Sequence, residues 1–152
     1  MNRTQGDPRI FITERGATIK FVGGQPIMDG GWENYVLIAL FTRPGWVGNV
    51  LFDKPAQQIG SDFEEVAEQA ITIDSLADLE ESGKRALADM EADGLAEKVE
   101  VIASNPNGDI KQVRILVTPP GKDVEELLLT KHGLNWLVQA DDPAHKRFDN
   151  VA

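Results

Sequence analysis

The run VEVIASNPNGDIKQVRILV, residues 99–117, decides how this chain folds. Val99, Val101 and Ala103 alternate with Glu100, Ile102 and Ser104, and Val113, Ile115 and Val117 repeat the same period of two. Successive side chains of a strand point to opposite faces, so each half presents one apolar row to a core. Between the halves stands Pro106-Asn107-Gly108-Asp109. Asn-Gly between two alternating runs is a strong hairpin signal. The sequence therefore predicts an antiparallel hairpin, ended by Pro119-Pro120-Gly121. Residues 125–130 and 134–139 predict a second hairpin turning at Lys131-His132-Gly133, with a helix from Val124 as the alternative.

Upstream the period changes from two to that of a helix. Leu76, Leu79, Gly83, Ala86, Leu87 and Met90 form one apolar stripe, while Asp78, Glu81, Lys84, Arg85, Asp89 and Glu91 cover the rest. This predicts a helix over about residues 75–93, capped by Thr72 or Asp74 and ended by Gly94 in a left-handed conformation. Ser61-Asp62-Phe63-Glu64 has the spacing of a capping box and predicts a short helix over 61–68. A third helix is predicted over 32–42, buried on most sides because Leu37, Ile38 and Phe41 join the face made by Trp32, Tyr35, Val36, Ala39 and Leu40. Arg43-Pro44-Gly45 stops it. At the front, Ile10, Ile12, Ile19 and Phe21 predict two short strands around Glu14-Arg15-Gly16, and Gly23-Gly24-Gln25-Pro26 breaks the pattern. The expected fold class is α+β. One domain over 1–140 has an N-terminal β region, two to three helices and a C-terminal antiparallel sheet, and 141–152 is a polar tail.

Charge narrows the functions. The formal net charge of −10 comes from one segment, since residues 61–100 hold 13 Asp/Glu against 3 Lys/Arg and the remainder balances. Phosphate-backbone binding needs the opposite sign, so no nucleic-acid partner is expected, whereas an acidic face can dock on a basic protein. The chain has no cysteine, which removes disulfides, thiolate metal sites and thiol nucleophiles. The first residues, MNRTQG, are polar and predict no signal peptide. The longest apolar run, residues 35–41, falls far below the ~20 residues a spanning helix needs, so no membrane association is expected.

Reactive motifs are not found. There is no P-loop and no Gly-x-Ser-x-Gly elbow, and the pairs Gly23-Gly24 and Gly30-Gly31 read as turns. His132 and His145 match no metal-helix spacing and read as a turn residue and a tail residue. Glu64-Glu65, Glu80-Glu81 and Glu125-Glu126 are adjacent in sequence, so the members of each pair point in different directions. A glycosidase instead needs two carboxyls facing each other across a cleft. No enzyme activity, cofactor or metal is expected. The rival readings are a peptidoglycan hydrolase and an acidic inhibitor that mimics nucleic acid.

The large apolar residues point to contact instead. Trp32 opens an apolar helix and reads as core, and Trp136, in the strand-like run LNWLV, reads as core with partner contact as the alternative. Trp46, Val47, Val50, Leu51 and Phe52 crowd a loop that must pack on the domain or on a partner. Leu127, Leu128, Leu129, Trp136, Leu137 and Val138 make an apolar hairpin whose edge is a candidate for strand addition. Trp46, Val47, Phe52, Leu127, Leu129, Trp136 and Val138 are the expected interface residues, weighted toward aromatics as binding hot spots are.

Several pieces stand together in one order: YVLIALFTR (35–43), PGWVGN (44–49), IGS (59–61), and ALADMEADGLAEKVEV (86–101), followed by the alternating hairpin. This series resembles the tail baseplate proteins of Mu-like phages and is similar, more distantly, to the lysozyme-like wedge subunit of T-even baseplates and its counterpart in type VI secretion. The likeness covers roughly residues 27–118. Glu97-Lys98-Val99 stands where the wider wedge family often has Glu-Pro-Arg, and Asp62-Phe63-Glu64-Glu65 where the Mu-like group has an aromatic-rich segment, so contacts of those motifs are not carried over. The resemblance implies a structural protein of a contractile (myophage) tail. It would be a wedge subunit in six copies that joins the baseplate core to the first sheath ring and helps initiate sheath assembly. Its partners would be other wedge proteins and the sheath, tube and hub proteins, in a virion assembled in the bacterial cytoplasm.

Overall fold

A computed structural model describes residues 7–13, 15–29, 31–54 and 60–140. In chain order these form β1 (Phe11–Thr13), β2 (Gly16–Thr18), β3 (Phe21–Val22), β4 (Gln25–Pro26), α1 (Glu33–Phe41), a 3-10 turn (Val47–Leu51), α2 (Phe63–Ala67), α3 (Ile73–Ala86), α4 (Ala88–Ala92), β5 (Lys98–Asn107), β6 (Ile110–Thr118), β7 (Glu125–His132) and β8 (Asn135–Ala140). The fold class is α+β, as the sequence predicts. His145 and the polar tail of 141–152 lie outside the described residues.

The two predicted hairpins join into one antiparallel sheet of order β5-β6-β7-β8. Val101 pairs with Ile115 and Ile115 with Leu127, while Val113 pairs with Leu129 and Leu129 with Val138. One face of the sheet therefore carries continuous apolar rows, and all of these residues are buried. The turn of the first hairpin is Gly108-Asp109, closed by the Asn107–Ile110 pair, and Gly108 takes the positive φ that such two-residue turns require. Residues 125–140 are strand rather than helix, because their alternating rows complete the same buried face.

The helices cover that face. Leu79, Leu87 and Met90 pack with Phe63 of α2 and with Val36, Leu37 and Leu40 of α1 in one core. Gly83 brings α3 close to β5, since a Cβ there would sit 2.9 Å from Val101 Cγ1. Thr72 caps α3: its side chain accepts from Ser75 N–H at 3.0 Å, and Ser75 Oγ accepts from Thr72 N–H at 2.8 Å.

Four local expectations change. The single helix over 75–93 is two, because the regular pattern breaks at Leu87, where Met90 N–H bonds Leu87 C=O in a tighter turn. Leu87 and Met90 are both buried across that break, so packing outweighs helix regularity. The predicted capping box at Ser61 does not form. Ser61 Oγ donates to Leu40 C=O at 3.0 Å, and Asp62 accepts from Ser82 Oγ at 2.5 Å and pairs with Arg85 at 3.2 Å. Ser82 is foremost among the groups that hold Asp62 below the usual carboxylate range. The break at residues 23–26 is itself a small hairpin, with β3 and β4 turning at Gly23 and Gly24, both at positive φ. Finally, α1 is buried on most sides as expected, but Ile38, counted among its buried positions, faces out.

Candidate partner-docking site

Residues 43–54 follow α1 and residues 60–62 lead into α2, and the chain is clamped where these two stretches meet. Ser61 N–H bonds Thr42 C=O at 2.9 Å, while Ser61 Oγ holds Leu40 C=O. Gly60 lies so close to the outgoing strand of chain that a Cβ there would stand 2.8 Å from the Arg43 carbonyl oxygen. With φ at +143°, the position suits glycine on both counts. Below the clamp, Trp136 packs on Phe41 and Phe63, with ring centroids 5.3 and 5.7 Å away, and Phe41 and Phe63 meet edge-on at 5.9 Å. Such edge-on and tilted pairs add to the plain burial of the rings and brace this base by packing.

Above the clamp the chain makes a 3-10 turn. Asn49 N–H bonds Trp46 C=O at 2.9 Å, and Phe52 N–H bonds Asn49 C=O at 3.1 Å. The Trp46 ring lies over Gly48, where an added Cβ would stand 2.1 Å from the indole, so any larger residue there would push the ring aside. With Asn49 buried, the turn presents its apolar side chains outward: Trp46 is 45% exposed, Val47 78%, Val50 83% and Leu51 81%. Each aliphatic side chain left in water forgoes about 1.5–3 kcal/mol that burial would supply. Three such aliphatic groups, with Trp46 at the cap of the turn, form an exposed apolar knuckle on a braced base.

The expected interface residues thus divide. Trp46 and Val47 are on the knuckle, Phe52 is half-buried at its foot, and Trp136 is half-buried in the aromatic brace. Leu127, Leu129 and Val138 are in the core, because their rows face the helices, so this fold does not offer their side chains to a partner. Strand addition at the second hairpin is restricted in the same way: β7 is interior, and β8, the outer strand, has β1 lying against it. Val50 and Leu51, the most exposed of the knuckle, belong to the apolar loop read from sequence but not to the expected interface residues. The three-residue period of the 3-10 turn places Val47 and Val50 on one face.

The neighbouring carboxylates diverge. Glu80 accepts from Ala103 N–H while Glu81 reaches Arg85, and Glu125 accepts from Trp32 Nε1 while Glu126 pairs with Arg114. Among the described residues no group of three or more His, Asp or Glu is placed to hold a metal ion, and no helix is long and apolar enough to cross a membrane. His132 is exposed at the end of β7. Comparison of the chain with protein-family models, with curated proteins and with solved structures finds no match.

Proposed function

We propose that this chain is a structural assembly subunit and, following the resemblance of residues 27–118, a wedge component of a contractile phage tail baseplate. In that role it acts without catalysis, in six copies, between the baseplate core and the first sheath ring. Its neighbours are other wedge proteins and the sheath, tube and hub proteins of a virion assembled in the bacterial cytoplasm. The observation that carries the reading is the knuckle of Val47, Val50 and Leu51, which holds apolar surface in water on a clamped base. An isolated protein gains nothing from that arrangement, whereas an assembly part gains a contact. The acidic run of residues 61–100 adds an orienting charge against a basic neighbour.

The test is complementation of a phage lacking the gene by a Val50→Asp/Leu51→Asp double variant. Both sites are exposed, so the purified variant should unfold in urea within about 0.5 kcal/mol per site of the parent. Particles made with it should lack contractile tails in electron micrographs and should not contain the subunit. Normal tails carrying the folded variant would remove the knuckle from any role in assembly.

A further inference from the structure

The apolar rows of the sheet end in two facing lysines. Lys111 continues the row of Val113, Ile115 and Val117 on β6, Lys131 continues that of Leu127 and Leu129 on β7, and the two are direct cross-strand partners. Both residues are buried, at 6% and 8% exposed. Lys111 Nζ donates to Ala67 C=O at 2.5 Å and to Gln69 C=O, at the C-terminal end of α2, and Lys131 Nζ donates to Gly133 C=O. Every one of these acceptors is an uncharged carbonyl. Among the described residues no carboxylate oxygen lies within the 4.0 Å of an ion pair from either ammonium.

This is a costly arrangement for the protein alone. Burying an ion carries a penalty of several kcal/mol unless an opposite charge accompanies it. Like charges directly opposed across strands add repulsion. Burial, and after it the neighbouring Lys131, push the Lys111 ammonium below its ordinary pKa. Beside the pair is an open cleft of about 570 Å³, lined by both lysines, His132 and the turn glycines Gly108 and Gly133. Glu68 and Asp109 also line it, but both are exposed and neither pairs with a lysine. A water occupies ~30 Å³ of liquid, so the space takes a polyatomic guest.

We propose that this cleft is an oxyanion site that takes a phosphate or carboxylate group against the ammoniums of Lys111 and Lys131. An anion there converts the repulsion of the pair into shared attraction, and the carbonyls of Ala67, Gln69 and Gly133 hold the two donors in place before the guest arrives. Lysines act as point charges, and beyond these bonds Lys111 keeps one N–H and Lys131 two, which suits a phosphate or a carboxylate more than a planar bidentate guest. The site is separate from the knuckle and stands whether or not the assembly reading does.

The experiment is an amide NMR titration of the full chain with sodium phosphate, in parallel with sodium citrate, against sodium chloride at matched ionic strength. The amide signals of Gly108, Lys111, Lys131 and Gly133 should shift and saturate with a midpoint on the order of 1 mM in at least one oxyanion arm. The arm that saturates tells phosphate from carboxylate. Lys131→Gln should raise the midpoint at least about tenfold, as loss of one charged hydrogen bond does, while Lys98→Gln, at an exposed lysine on β5, should leave it unchanged. The parent titration does not depend on any variant folding. Shifts that fail to saturate in both oxyanion arms, that chloride reproduces, that fall outside the cleft, or that persist in folded Lys131→Gln would overturn the proposal.

Discussion

Glu80 Oε1, on α3, accepts a hydrogen bond at 2.9 Å from the backbone N–H of Ala103, on β5. Farther along the same strand, Glu91 Oε1 of α4 accepts from Val99 N–H at 2.8 Å. β5 is an outer strand of the sheet, and alternate residues of an antiparallel strand turn their N–H groups away from the paired neighbour. An outer row of open donors is a template for pairing with another chain. Two helix carboxylates occupy donors in that row and place negative charge beside it, so the acidic helices also guard the sheet.

Glu80→Ala should therefore act twice. Loss of a hydrogen bond to a charged acceptor should lower stability by about 1–2 kcal/mol in urea unfolding, because the group is only partly buried. The Ala103 amide should also exchange with deuterium faster than in the parent, and the protein should self-associate more at high concentration. Unchanged exchange at Ala103 would show that the carboxylate does not protect this edge.

The parts of the fold legible in the sequence are those where one periodicity runs unopposed. Val113, Ile115 and Val117 announce their strand because every second residue is buried against the helices. The same rule fails one step earlier. Lys111 stands on that buried face, and a lone lysine beside a turn looks like solvent-facing punctuation. Only the pairing with Lys131, set by the register of the β6 and β7 hairpin, turns two ordinary lysines into a site. The knuckle is half legible for a similar reason. Crowding marks residues 46–52 as apolar, but which side chains point out depends on Asn49 being the buried member of the 3-10 turn. The inward direction of Leu127, Leu129 and Val138 follows from which face the helices cover, which the pattern of the second hairpin alone does not state.

Gly83 is a packing residue, and Gly83→Ala should destabilise. Alanine gains ~1 kcal/mol of helix propensity over glycine, but overpacking a core costs about 1–3 kcal/mol. The new methyl would stand 2.9 Å from Val101 Cγ1, on a buried β-branched side chain with little rotamer freedom, so the clash should win by about 1 kcal/mol. Val101→Ala removes the obstructing methyls. In a urea double-mutant cycle the pair should therefore lose less stability than the sum of the two single changes.

Trp32 ties the start of α1 to β7, because its Nε1–H donates to Glu125 Oε2 at 2.6 Å from an indole that is buried. Trp32→Phe keeps most of the apolar volume but loses the donor, and should cost about 1–3 kcal/mol by leaving the Glu125 carboxylate without that partner. Glu125→Gln retains an acceptor and should cost less than Trp32→Phe. Equal losses in thermal or urea unfolding would reduce Trp32 to a packing role.

Glu33 gives the stability its pH dependence near neutrality. It is buried at 6% exposed, and burial first, then its hydrogen bond with the Asp29 side chain, raise its carboxyl pKa from 4.5 to about 7. Arg9, 3.9 Å away, pulls in the opposite direction without prevailing. The folded protein therefore holds a proton that the unfolded chain has released between about pH 4.5 and 7. Stability from this group is fully present below pH 4.5, falls as pH rises through that window, and is lost above about pH 7. The whole change amounts to as much as about 3 kcal/mol at 1.36 kcal/mol per pKa unit. Glu33→Gln cannot ionise, so the parent-minus-variant difference in urea unfolding free energy should drop steadily from pH 4.5 to 7 and level off beyond it. A difference that stays flat across that window would mean that Glu33 is ionised in the folded protein and paired with Arg9.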